Sequence, residues 1–304
     1  MTLTELVSFA SEKTNFESLE KYITFARNYL DFVAKELQAI IVSQNEQQYR
    51  FWQYKDDGHF NITRPVNSTL MYDAEIAAVL SDKFLRVLSA AHEIPPEDDA
   101  NRSLIRRAIY TIQQCIGCAL DALPAGRSNT ARKINGDLFE RLIRLLILHL
   151  GVECTTGSIR APVIVEGEEQ FHMNYQHDLL IRDAGDIKAI GSVKTSSKDR
   201  IDKIFVDKFL YSKLTETALP HIAIFLNDVQ RKNTRTPGRY GINSTFLPGH
   251  FKGYTIKLNP LDGVYYCDIR PNMETDSLLK EHIRTVDCFF CGDVWEFVRR
   301  PGGR

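Results

Sequence analysis

The sequence predicts an α/β fold: a mixed central β-sheet flanked by helices, with a mostly helical N-terminal half. Three observations carry this. Up to about residue 150, apolar residues recur at the three-and-four spacing of buried helix faces. From Val152 onward short apolar runs of strand length take over. One strong helical pattern then interrupts those strands, giving the order helix, three strands, helix, strand.

The first helix spans Glu17 to about Ser43, with Leu19, Ile23, Phe25, Tyr29, Phe32, Val33, Leu37 and Ile40 on one side. The aromatic stretch YRFWQYKDDGHFNITRP follows without helical period and reads as a hairpin or loop turning at Asp57-Gly58. Asp73 to Ala91 and Asp98 to Leu123 form two further helices separated by Pro95-Pro96, and a fourth runs from about Asn135 to Leu150, closed by Gly151. Strands are expected at Val152–Thr155, Phe171–Ile181, Ile187–Lys194, His221–Leu226, Tyr254–Leu258 and Val264–Ile269. The interrupting helix covers about Lys198 to Thr215. A Gly/Asn/Arg-rich connector around Arg231–Arg239 is expected to be a flexible basic loop.

Composition narrows the function classes. With 304 residues and 43% hydrophobic content, a large core can form. No apolar run reaches the roughly 18 residues a membrane span requires, and the opening MTLTELVSFASEK lacks the pattern of a signal peptide, so a cytoplasmic location is expected. A net charge of −1 argues against a uniformly basic nucleic-acid binder. It leaves room for a localised one, and Lys198 to Arg239 carries a basic surplus. The six cysteines include two C-x-x-C pairs, Cys115/Cys118 and Cys288/Cys291. Both lie in apolar surroundings and read as buried small hydrophobes in preference to a zinc site.

The segment carrying chemistry is QHDLLIRDAGDIKAIGSVKTSSKDRIDKIFVDK, Gln176 to Lys208. Asp178 lies on one strand, a short turn passes through Ala184-Gly185, and Lys194 ends the next strand. Hydrolysis of a phosphodiester at neutral pH needs a divalent cation, an activated water and neutralisation of the developing charge. Two carboxylates and a lysine converging at a sheet edge supply all three, and Mg²⁺ prefers such hard oxygen ligands.

This arrangement resembles the PD-(D/E)XK nuclease superfamily, which sets an Asp on one strand and (D/E)-x-K on the next. Ser192 stands where the second acid would be. In one branch of type II restriction endonucleases, the EcoRII/PspGI group and its CCGG-cutting relatives, that acid is moved to the following helix. Here Asp207 stands thirteen positions after Lys194. The intervening KTSSKDR is similar to the group's signature, over about thirty contiguous residues. His177 replaces a common Pro, and Asp207 replaces the usual Glu.

The resemblance implies a restriction-endonuclease-like core over 135–304 and a helical region over 1–134 for dimerisation and for embracing DNA. It implies Mg²⁺ held by Asp178 and Asp207, with Lys194 and Glu140 completing the catalytic set. Lys198, Asp199 and Arg200 would read C·G pairs, in keeping with Arg on guanine and a carboxylate on cytosine N4. Arg50 and Tyr54 have the spacing of the Arg-aromatic pair that holds a flipped base. Apart from the resemblance, the basic connector with Arg231, Lys232, Arg235 and Arg239 is expected to clamp phosphates or reach flanking bases. The partners implied are double-stranded DNA and a second copy of the chain in a homodimer, acting at a palindrome with CC/GG half-sites. A companion methyltransferase of the bacterial cytoplasm would act on the same site without binding. Two other readings stay open: a non-catalytic DNA-binding protein on a decayed nuclease fold, and a repair or mobile-element nuclease.

Overall fold

A computed structural model describes residues 1–56, 59–197 and 200–299. Thr2 opens α1 (Leu3–Ser11) through a reciprocal capping box with Glu5, and α2 (Leu19–Glu36) follows. The expected helix therefore stops short of Ser43. Ala39–Val42 is instead β1, whose branched side chains suit the strand it forms against β2 (Tyr49–Asp56). With β3 (His59–Ile62) and β4 (Val66–Asn67) these make a small antiparallel sheet. The expected Asp57-Gly58 turn falls outside the described residues. Asp73 and Asp98 cap α3 (Ala74–Ser89) and α4 (Asp99–Leu120) by accepting from the Ile76 and Asn101 amides. Next, α5 (Ser128–His149) runs across the expected 134/135 boundary.

The aromatic stretch lacks period because β2 is buried on both faces. Trp52 and Tyr54 pack into the helical core, while Tyr49 and Phe51 pack the opposite way, against Val229 and Ile242. This corrects the reading of Tyr54 as a base-stacking residue. Its ring is 1% exposed, and its hydroxyl shares a hydrogen bond with that of Tyr29. Arg50, on the same strand, is exposed, but the Tyr54 ring that would pair with it is core.

The second half contributes β5 (Glu153–Val165), β6 (Glu168–Asp183), β7 (Asp186–Ser196), α6 (Ile201–Thr215) and β8 (His221–Asn227). It continues with β9 (Val229–Asn233), β10 (Tyr240–Ser244), α7 (Pro248–Lys257) and β11 (Gly263–Tyr266). It ends with α8 (Pro271–Thr275), α9 (Ser277–His282), β12 (Ile283–Thr285), α10 (Val286–Cys288), a π-helical turn over Phe289–Asp293 and α11 (Val294–Arg299). Six strands form one sheet in the order β12-β11-β8-β7-β6-β5. The first three in sequence pair antiparallel, whereas β7, β8, β11 and β12 run parallel, so the sheet is mixed as expected. Both antiparallel turns, Glu166-Gly167 and Ala184-Gly185, hold two successive residues at positive φ, the conformation whose twist matches the flanking strands.

Two further expectations are overturned. Tyr254–Leu258 alternates like a strand, but Pro248 at the first helical turn starts α7, which buries Phe251 and Thr255 one turn apart and exposes Ile256. The Arg231–Arg239 connector is a hairpin, β9 paired antiparallel with β10. Of the cysteines, Cys115, Cys118 and Cys291 are buried as expected, and Cys288 is half-buried.

Helices cover both sheet faces. Leu179, Ile181, Val193, Ile222 and Ile224 join α1–α5 and α11 in one continuous apolar cluster. On the other face Ala223, Phe225, Val264 and Tyr266 meet α6 and α7. Among the described residues no helix is long and apolar enough to cross a membrane. A buried polar network stitches the N-terminal sheet to the strand ends. Tyr49 Oη and Asn67 Nδ2 donate to the two oxygens of Asp268 at 2.9 and 2.8 Å, and Arg270 donates to Glu46 at 2.5 Å.

Two outcomes follow. Tyr54→Ala lowers the unfolding free energy in urea by about 3–5 kcal/mol, as for a truncated buried ring; a loss confined to DNA binding would instead return Tyr54 to a ligand role. Burial pushes the Asp268 carboxyl up to about 7. The folded protein then keeps a proton that the unfolded chain releases from about pH 4 upward, so stability falls as pH rises through that window. Asp268→Asn should flatten the decline between pH 5 and pH 8 in urea titrations, and parallel wild-type and variant profiles would show that Asp268 is not its source.

Candidate active site

The site begins where the β6–β7 ladder stops. Its last rung is Leu179–Gly191, where a Cβ on Gly191 would lie 2.9 Å from Leu179 Cδ1, so only glycine fits without displacement. Beyond that rung β7 keeps pairing with β8, through Lys194–Phe225 to Ser196–Asn227, while β6 departs. On its other side β6 carries a bulge. Thr155 and Gly157 of β5 are two residues apart, but their partners Leu180 and His177 are three apart, so one extra residue sits at Asp178-Leu179. A bulge re-aims the side chains beside it. Its sequence signal was Gly157, inside an otherwise regular strand.

Asp178 is thereby turned toward β7. Its Oδ2 accepts from the Val193 amide at 2.8 Å, taking a donor that β6 no longer pairs, and from Lys194 Nζ at 2.5 Å. The same ammonium donates to Glu140 Oε1, on α5, at 2.9 Å. One cation thus joins two carboxylates from three elements, all half-buried. Burial and the neighbouring Asp178 charge raise the Glu140 carboxyl above its ordinary value, against the opposing pull of Lys194. For Lys194, burial alone would lower the ammonium, but the two carboxylates outweigh it and the net shift is upward. A single lysine therefore leaves the acidic pair under-neutralised.

Asp207 lies elsewhere. It sits on α6, on the far sheet face, ion-paired with Lys203 one turn before it. Among the described residues no hydrogen bond or ion pair links it to Asp178, Lys194 or Glu140. Its charge, like that of Asp178, acts on the buried His177 imidazole between them, where desolvation dominates and lowers the pKa. The bulge places His177 on the α6 side, against Tyr211 and His221. Sequence reading passed over His177 as a mere replacement for Pro.

The remaining candidates are spread around this edge. Arg200 is exposed at the start of α6, and Lys198 and Asp199 lie outside the described residues. Arg231 is tied down, donating to Ile62 O at 2.7 Å and lying over the Tyr240 ring, whereas Arg235 is exposed at the tip of the β9–β10 hairpin.

No three His, Cys, Asp or Glu side chains among the described residues gather as a metal-holding group. What is gathered is the Asp178/Glu140 pair. Two hard carboxylates with remaining positions left to water and a phosphate suit Mg²⁺, which favours that mixture, and do not suit a softer ion that needs nitrogen or sulfur.

No protein-family model and no curated protein matches the chain. Among solved structures it is similar to the crystal structure of the Type IIP restriction endonuclease Kpn2I, with a TM-score of 0.69 over 98% of this chain and 97% of that one at 17% identity. At that identity the likeness is one of fold, and the chain has a restriction-endonuclease-like α/β fold.

Removing the cation from this cluster should cost stability. Lys194→Met leaves two facing carboxylates and is expected to lose about 1–3 kcal/mol near pH 8, less than a fully buried pair would. The loss should shrink as pH falls, because the raised Glu140 carboxyl takes up a proton earlier than an ordinary glutamate; equal losses at pH 8 and in mild acid in urea unfolding would mean the lysine acts only through packing.

Proposed function

We propose that this protein is a type II restriction endonuclease, hydrolysing phosphodiester bonds of double-stranded DNA with Mg²⁺. The observation that carries the reading is the meeting of Asp178, Lys194 and Glu140 where β6 and β7 part. A phosphate lying at such an edge finds an ammonium for its developing negative charge and two carboxylates for a cation. When bound, Mg²⁺ would polarise the phosphoryl oxygen and make a water more acidic. Lys194 holds its charge beside the attacked phosphorus and orients that water. Asp178 is held through Oδ2 by the Val193 amide, so it needs little reorganisation to act. Glu140, whose carboxyl is raised by burial and the Asp178 charge, is the carboxylate suited to accept the water's proton.

Asp207 enters this reading as an auxiliary acid. The resemblance gives it a metal role, and its charge, like that of Asp178, reaches His177. To act there it would have to give up Lys203, its partner in the ion pair. Arg200, with Lys198 and Asp199, is assigned to base reading at CC/GG half-sites, and a homodimer would match a palindromic site. Nucleotide flipping by Arg50 and Tyr54 is not part of the proposal, because Tyr54 is core.

The test is digestion of plasmid and phage DNA with Mg²⁺, followed by sequencing of the fragment ends. Cleavage at one short sequence is expected. Lys194→Ala and Asp178→Asn should lower the rate by about a hundredfold to a thousandfold or more. Asp207→Asn should raise the Mg²⁺ concentration needed; an unchanged Mg²⁺ dependence removes it from the set. Tight DNA binding without cutting in Mg²⁺ or Mn²⁺ would make the protein a binder on a nuclease fold.

A further inference from the structure

The β9–β10 hairpin has a charge pattern that the proposed chemistry does not use. From Val229 to Ser244 it carries Arg231, Lys232, Arg235 and Arg239 and no carboxylate. Lys232, Arg235 and Arg239 are exposed, and among the described residues none of them enters an ion pair. On a chain of net charge −1 this is a concentrated, uncompensated patch.

The hairpin is also firmly mounted. The Asn45 side chain satisfies both backbone groups of Ile242, accepting from its amide and donating to its carbonyl, each at 2.9 Å. A Cβ at Gly241 would stand 2.8 Å from Asn45 Oδ1, so glycine is required for that approach. Arg231 donates to the Ile62 and Thr63 carbonyls at 2.7 and 3.3 Å. Val229 and Ile242 pack on Tyr49 and Phe51. At its root, Thr245 donates to Asp228 O at 2.8 Å and shares a hydrogen bond with Ser196 at 3.2 Å. Ser196 lies two residues past Lys194 on β7, about 7 Å along the strand.

We propose that this hairpin is a phosphate clamp: Lys232, Arg235 and Arg239 grip the DNA backbone beside the cleavage site, and Arg231 is the anchor that fixes them. The assignment rests on the nuclease reading. It differs from the sequence expectation by moving Arg231 from the DNA to the protein. A five-residue strand reaches about 17 Å from its root. The gripped phosphates therefore lie within roughly seven base pairs of the cleaved bond, at about 3.4 Å per phosphate along a strand. Duplex outside the short recognition sequence becomes part of the binding site.

The experiment measures binding of a 30-base-pair mixed-sequence duplex without divalent metal, across about 50–300 mM KCl, for wild type and K232Q/R235Q/R239Q. Each lost phosphate contact removes about 0.9 from the log–log salt slope, so a decrease of roughly 2 to 3 is expected, with an unchanged thermal melt. In wild type, trimming the flanks to three base pairs should reduce cleavage, and the triple variant should be indifferent to trimming. If wild type binds and cuts DNA while the variant keeps its slope and flank dependence, the clamp is wrong and the nuclease reading stands. If wild type neither binds nor cuts DNA, the nuclease reading itself fails.

Discussion

Past the Leu179–Gly191 rung, the β7 backbone carries a donor that β6 has stopped pairing, and the Asp178 carboxylate accepts it. An unpaired buried amide costs about 1–3 kcal/mol, so this hydrogen bond holds the parted strands in place as well as fixing the side chain. The bulge at Asp178-Leu179 makes the geometry possible, and Gly191 lets Leu179 close the last rung beside it. Lys194 then has one position from which it reaches both Asp178 and Glu140. The candidate site is thus an opened seam in a sheet whose remaining strands stay paired.

The seam also explains which parts of the molecule were legible in sequence. Asp178 and Lys194 were readable because strand pairing brings residues sixteen apart together across a two-residue turn. Glu140 was readable only through the resemblance, since its approach depends on how α5 lies on the sheet. The mixed sheet and the flanking helices followed from hydrophobic period. The misreadings share one cause, which is tertiary context overriding local pattern. Ile40–Val42 continued a helical period but found a strand edge, and Tyr254–Leu258 alternated like a strand but followed Pro248 into a helix. Tyr54 had the right spacing for a base pocket, yet a strand buried on both faces leaves its ring nowhere to meet a base. Asp207 was found by spacing alone, and spacing says nothing of the sheet face on which α6 lies.

The polar network around Asp268 shows how the N-terminal sheet is fitted to the strand ends. Tyr49, Asn67 and Glu46 come from one side, Asp228, Asp268 and Arg270 from the other. Buried groups of this kind add little net stability, but they penalise every misaligned docking because a shifted partner leaves a charge unpaired. The β9–β10 hairpin is rooted beside this network and braced by Asn45 and Arg231, so its position follows that of both halves.

The apolar cluster that contains Leu6 and Ala10 of α1 also contains Val294 and Phe297 of α11. During synthesis, the N-terminal helices emerge first and have no lasting cover for the surfaces that the C-terminal helices will occupy. The order of emergence and the order of packing therefore differ. A nascent chain that already holds Asp178, Lys194 and Glu140 still lacks part of the scaffold beneath them. The opened seam between β6 and β7 thus rests on an apolar cluster that is complete only once α11 has emerged.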